Sequence, residues 1–166
     1  MARLLPSRLP VRASVLTSVG VAALTATIAL PPTPRLVWNV SASAPIGLYA
    51  VGGRHDIAAG DMVLARVPDR WRRLAAERRY IPINVPLVKR VAAVPGDRVC
   101  ARGRDISVNG RPVTDRREAD GRGRPMPRWS GCVTLRTGAL FLLMDSPDSF
   151  DGRYFGPTSR GDVIGE

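Results

Sequence analysis

Hydrophobic positions in this chain follow two regimes. From Ala13 to Leu30 eighteen residues pass without a charge, enough to cross a hydrocarbon core of about 30 Å as a helix. Ser14, Thr17, Ser18, Thr25 and Thr27 dilute its apolar character, and the stretch stops at Pro31-Pro32. Beyond it the apolar residues come in short runs, at 47–51, 62–67, 87–94, 105–108, 133–135 and 139–144. Runs of this length, rich in valine and leucine, predict β-strands. Gly60-Asp61, Gly96-Asp97 and Gly161-Asp162 each introduce or follow a run containing valine, as turn residues do. Asn109-Gly110 is a hairpin signal, its returning strand expected to be delayed by the segment that follows. Two segments break the strand pattern. Residues 69–79 (DRWRRLAAERR) read as a short helix, its helical core expected at 70–79, with Trp71, Leu74 and Ala75 on one side. Such a helix covers the sheet, lies on a bilayer or presents a solvated basic face. Residues 111–131, rich in Arg, Gly, Pro and Asp, read as a surface loop.

Length agrees with this plan: 166 residues suffice for one compact domain and an anchor. Charge then changes the picture. A net charge of +11 invites a nucleic-acid reading, but the arginines are spread through every segment and aromatics make up only 5%. Single-strand binders interleave basic and aromatic residues, so no nucleic-acid partner is expected, and anionic lipid or an acidic partner fits better. Arg3, Arg8 and Arg12 precede the apolar stretch. Basic residues on that side hold the N-terminus in the cytoplasm and send the body outward. A cleaved signal peptide has a similar pattern; the expectation adopted is an uncleaved anchor. Pro31 to Pro34 then form an extended spacer that keeps the following residues near the membrane. Cys100 and Cys132 suit an exported body, where a pair persists as a disulfide; the alternative is two buried thiols. With two cysteines and one histidine, no ligand spacing suggests a metal.

Of 25 basic residues, only Lys89 is a lysine, and it sits inside Pro86-Leu87-Val88-Lys89-Arg90-Val91-Ala92-Ala93-Val94. Arginine keeps its proton in proteins, whereas a buried lysine can become a neutral amine and act as a base. The alternative is a strand lysine whose ammonium reaches solvent. A nucleophile for that base is offered by Trp38-Asn39-Val40-Ser41-Ala42-Ser43-Ala44-Pro45-Ile46-Gly47-Leu48-Tyr49. There Pro45 and Gly47 force a bend that exposes a serine Oγ and a backbone N–H; a plain linker is the alternative. A Ser/His/Asp triad would have to use His55, in a polar loop, which makes Lys89 the better candidate.

Three ordered boxes resemble the signal peptidase I family: Ser43 in Asn39-x-Ser41-x-Ser43-x-Pro45-x-Gly47-Leu48-Tyr49, Lys89 in Val88-Lys89-Arg90-Val91 with Pro95-Gly96-Asp97, and Ser149 through Pro157. The Asn39 box and the Arg153-Tyr154-Phe155-Gly156-Pro157 ending look most like its TraF branch of conjugative-transfer maturation peptidases. The resemblance implies a mainly β fold of antiparallel sheets of the signal-peptidase type, preceded by one transmembrane helix. It implies a cytoplasmic tail at 1–12, an anchor at 13–30 and a periplasmic peptidase domain at 31–166, held at the bacterial inner membrane. Ser43 becomes the nucleophile and Lys89 the general base, with Ser41 in the oxyanion hole and Ser149 orienting the amine. Asp151 and Arg153 match a supporting pair, and no cofactor is implied. The substrate is an exported precursor polypeptide, a conjugative pilin in this branch, with cyclisation as one outcome. A broad signal peptidase and a non-enzymatic assembly component are the rivals. Two departures stand out: Ala44 replaces the usual methionine, and Gly152 replaces a frequent serine.

Overall fold

The computed structural model describes residues 11–30, 34–53 and 56–166. They fall into two units, divided after Pro34. The first contains helix α1, Val11–Ala29, which is long and apolar enough to cross a membrane. Its threonines do not leave free hydroxyls: Thr17, Thr25 and Thr27 donate to the carbonyls of Ala13, Val21 and Leu24 at 2.7–2.9 Å. Back-bonding of this kind is how a helix carries hydroxyl residues in an apolar setting.

The second unit is built of antiparallel sheets, because its short valine-rich runs are joined by tight turns. Strands β1 (Leu36–Asn39) and β2 (Gly47–Ala50) form a hairpin. Next come β3 (Met62–Ala65), helix α2 (Asp69–Glu77), β4 (Leu87–Ala93), β5 (Arg98–Arg102), β6 (Asp105–Val108) and β7 (Arg111–Asp115). β8 (Gly131–Thr134), β9 (Ala139–Leu143), α3 (Gly152–Phe155), β10 (Thr158–Ser159) and β11 (Val163–Gly165) complete the chain. A five-stranded sheet runs β10-β9-β4-β3-β11 and a four-stranded one β7-β6-β5-β8.

The Gly-Asp turns act through both residues. Gly60 and Gly96 take φ of 102° and 97°, where a side chain would be strained. Asp61 and Asp97 then accept from the N–H groups of Ala58 and Val94. The third pair, Gly161-Asp162, lies in a short 3-10 turn instead.

The 111–131 expectation needs correction in its first part. Asn109 and Gly110 both have positive φ, 50° and 80°, the geometry of a tight hairpin turn whose twist matches its strands. β7 therefore follows at once and pairs with β6, instead of being delayed. Only 116–130 is irregular, and it is not a free surface loop, since Arg116 within it is buried. Cys100 and Cys132 face each other in the β5–β8 register and form a disulfide that closes its base.

Three apolar clusters hold the unit. One lies around Val63, Val91, Leu140, Leu142 and Val163, and another around Val99, Ile106, Leu135, Phe141 and Leu143. The third is formed by Val67, Ala75, Leu87, Phe150, Tyr154 and Phe155, with Trp71 and Leu74 of α2 packed on it. So α2 covers the core with its apolar side, which settles the choice the sequence left open.

Candidate active site

Lys89 is placed by strand alternation. β4 buries Leu87, Lys89, Val91 and Ala93 in turn, as a period of two requires. With β3 on one side and β9 on the other, its backbone is locked, and the side chain is only 1% exposed. Removing an ammonium from water favours the neutral form, and burial lowers the Lys89 pKa from 10.5 to about 8. Asp151 opposes that shift and Arg153 adds to it. A substantial fraction of the amine is therefore neutral at mildly alkaline pH.

The serines sit in the bend between β1 and β2. Asn39, buried at the end of β1, organises that bend. Its Nδ2 donates to the carbonyls of Ser41, Ala44 and Pro45 at 3.0–3.1 Å, and its Oδ1 accepts from the Ser41 N–H at 3.0 Å. The Tyr49 hydroxyl also donates to the Pro45 carbonyl. With its polar backbone satisfied, the bend is held as one conformer. Ser41 Oγ and Ser43 Oγ are 2.8 Å apart, and the Ser43 N–H donates to Ser41 Oγ at 3.3 Å.

The two parts meet. Lys89 Nζ lies 3.2 Å from Ser43 Oγ and 2.7 Å from Ser149 Oγ. Ser149 is itself 1% exposed, so its hydroxyl has Lys89 as a fixed neighbour. Behind it, Asp151 caps α3 and accepts from the N–H of Arg153 and of Met144. Arg153 returns a bidentate ion pair, Nε to Oδ1 at 2.8 Å and NH2 to Oδ2 at 3.2 Å, with both side chains essentially inaccessible. Arg153 also donates to the Met144 carbonyl. Asp151 and Arg153 therefore fasten the turn carrying Ser149 to the end of β9. Gly152 has a packing reason: a Cβ there would lie 2.7 Å from the Leu142 carbonyl oxygen and 2.9 Å from the Phe141 ring.

All six site residues expected from the sequence thus lie in one region, and His55 lies outside the described residues. Asn39 is legible in the sequence as part of the motif, while its role emerges only with the bend it braces; an Asn beside a Ser-rich bend is the signal for it. Arg116 and Trp129 carried no local signal. The Arg116 guanidinium donates to the carbonyls of Gly103, Trp129 and Arg153, and Trp129 Nε1 donates to the Gly152 carbonyl at 3.0 Å. A cavity of about 770 Å³ opens beside Ser43 and Lys89, walled by residues 37–43, by 80–88 and by part of the 116–130 segment. No group of three or more His, Cys, Asp or Glu residues suited to a metal occurs among the described residues.

A hydroxyl beside a buried amine at the edge of a cleft, on a mainly antiparallel β body, defines the class as serine-hydrolase-like. The chain belongs to the signal peptidase family, peptidase S26, whose family model matches residues 9–166; membership makes it a serine peptidase. It is 44% identical over 137 residues to the plasmid transfer protein TraF of Escherichia coli, covering 76% of this chain and 77% of that protein. It is 35% identical over 137 residues to a probable conjugal transfer protein TraF of Sinorhizobium fredii, covering 76% and 72% respectively. A crystal structure of a signal peptidase I from Enterococcus faecalis is similar with a TM-score of 0.39 and 20% identity, covering 66% of this chain and 95% of that one.

Proposed function

We propose that this chain is a membrane-anchored endopeptidase using a Ser43/Lys89 dyad to process exported precursors, conjugative pilins among them. The observation that carries the reading is the 3.2 Å approach of Lys89 Nζ to Ser43 Oγ, made by an amine whose burial lowers its pKa to about 8. In the neutral state the Lys89 lone pair accepts from the Ser43 hydroxyl while an Nζ–H donates to Ser149 Oγ. Ser43 Oγ attacks the scissile carbonyl and its proton passes to Nζ. The negative oxygen of the tetrahedral intermediate is met by the Ser43 N–H and the Ser41 hydroxyl. For that, Ser41 turns from accepting the Ser43 N–H to donating toward the substrate. Lys89 then protonates the departing amine, leaving an acyl-Ser43 ester. Attack by water releases the acid; attack by an amine of the same polypeptide closes a ring.

The pilin assignment is supported by relatives named for plasmid and conjugal transfer. Residues 1–12, 13–30 and 31–166 are assigned to the cytoplasmic tail, the inner-membrane span and the periplasmic domain, on the strength of α1 and of Arg3, Arg8 and Arg12 before it. Leu36, Trp38, Val40, Ile46 and Leu48 are all well exposed on the β1–β2 hairpin, which suits work on membrane-proximal segments.

The test is mass spectrometry of a pilin precursor incubated in membranes with wild-type, Ser43→Ala and Lys89→Arg proteins. Processing by the wild type alone is expected, since arginine retains charge but supplies no neutral amine. Unchanged processing by Lys89→Arg sinks the base assignment.

A further inference from the structure

The 116–130 segment reaches across to the segment after α2 through one saturated polar cluster. Tyr80 is delivered to it by the end of α2: Arg79 takes φ of 58°, its N–H bonds the Ala76 carbonyl, and the Tyr80 N–H bonds the Ala75 carbonyl. This is the Schellman termination, here with an arginine where glycine is usual. The left-handed conformation costs a side-chain-bearing residue free energy, so the position of Tyr80 is held by its surroundings. Its hydroxyl donates to Asp120 Oδ2 at 2.6 Å. Asp120 also accepts from Arg124 Nε at 2.7 Å and from the N–H groups of Arg122 and Arg124. Arg124 reaches back to the Arg78 carbonyl and lies over the Tyr80 ring, while Arg78 donates to the Pro125 carbonyl at 2.7 Å.

Four side chains thus tie two segments that are some 40 residues apart in sequence. Both segments wall the cavity beside Ser43, and on the cavity side they present Ile81, Val85, Ala119 and Met126. Asp120 is held well below the usual carboxylate range, first by the Tyr80 hydroxyl, so the tie stays charged in mildly acidic solution. The carboxylate spends its acceptor sites on the clamp itself, which suits a role in holding a wall better than one in binding a substrate polar group.

We infer that the Tyr80–Asp120–Arg124–Arg78 cluster is a specificity-determining clamp. It fixes the 116–130 segment as the far wall of the cleft and so selects the apolar polypeptide segment that reaches Ser43, without taking part in acylation. This rests on the peptidase reading above. Shape held in advance lowers the ordering cost of binding, so loosening the wall weakens substrate binding and relaxes choice.

The experiment uses the full chain in detergent and two probes. One is a series of internally quenched peptides, built on a sequence the wild type cleaves and varied one position at a time. The other is p-nitrophenyl acetate, small enough to acylate Ser43 without touching the wall, followed by intact mass. Tyr80→Phe removes one hydroxyl and keeps the ring on Phe150. It is expected to raise the peptide KM about tenfold, flatten the preference for apolar side chains and leave the acetylation rate within about twofold. Asp120→Asn, which keeps an acceptor for Tyr80, is expected to fall between the two and serves if Tyr80→Phe melts early. Equal losses on peptide and ester, or a preference profile that does not move, overturn the clamp alone. Failure of the wild type both to cleave any exported-precursor peptide and to acetylate Ser43 overturns the peptidase reading and the clamp with it.

Discussion

At the scale of single residues, the site turns on the charge state of Lys89. Its pKa falls from 10.5 when unfolded to about 8 when folded. Between those values the unfolded chain holds a proton that the folded one has released, so stability rises with pH across that window. The burial penalty, about 3 kcal/mol, is fully present below pH 8 and absent above 10.5. Denaturant titrations from pH 7 to 11 are expected to show this rise in the wild type and its loss in Lys89→Met. Activity follows the same group: kcat/KM should climb through a midpoint near 8, since the base works unprotonated. A profile flat from pH 6 to 9 speaks against Lys89 as the base. Asn39 belongs to this scale too. Asn39→Ala frees three carbonyls and one N–H of the serine bend and is expected to lower kcat by about 10- to 100-fold with little change in KM. Peptide kinetics check it.

At the scale of elements, the turn from Ser149 to Phe155 depends on how closely α3 packs on β9. Gly152→Ala places a Cβ against the Leu142 carbonyl and the Phe141 ring, and is expected to cost about 1–3 kcal/mol. Thermal melting reads it directly. The elements themselves were largely legible in the sequence. Each of the six short apolar runs contains or overlaps a strand, because a period of two and a flanking turn are local signals. β1, β5, β7, β10 and β11 lie outside those runs: Leu36–Asn39, Arg98–Arg102 and Arg111–Asp115 mix exposed, polar or proline positions, and Thr158–Ser159 and Val163–Gly165 are only two and three residues long. Their strand character comes from partners across the sheet, which no local window records.

At the scale of the whole molecule, the Cys100–Cys132 disulfide closes a separation of 32 residues around β6, β7 and the cleft wall. In the chain-entropy view, a loop of that length contributes about 3–4 kcal/mol. Reduction, or Cys100→Ser with Cys132→Ser, is expected to lower the free energy of unfolding by about that amount, and with it the denaturant midpoint, measured by chemical denaturation with and without reductant. What the sequence determined alone was whatever chemistry and short range dictate: the apolar helix, the strand runs, one titratable amine in an apolar run and two serines in a bend. Meeting was decided only by the fold. Ser43, Lys89 and Ser149 come from three distant segments, and their distances depend on which strands pair. The buried Arg116 and the clamp around Asp120 are likewise tertiary, because a charge in a polar stretch looks solvated until the carbonyls and carboxylate that surround it are brought together by packing.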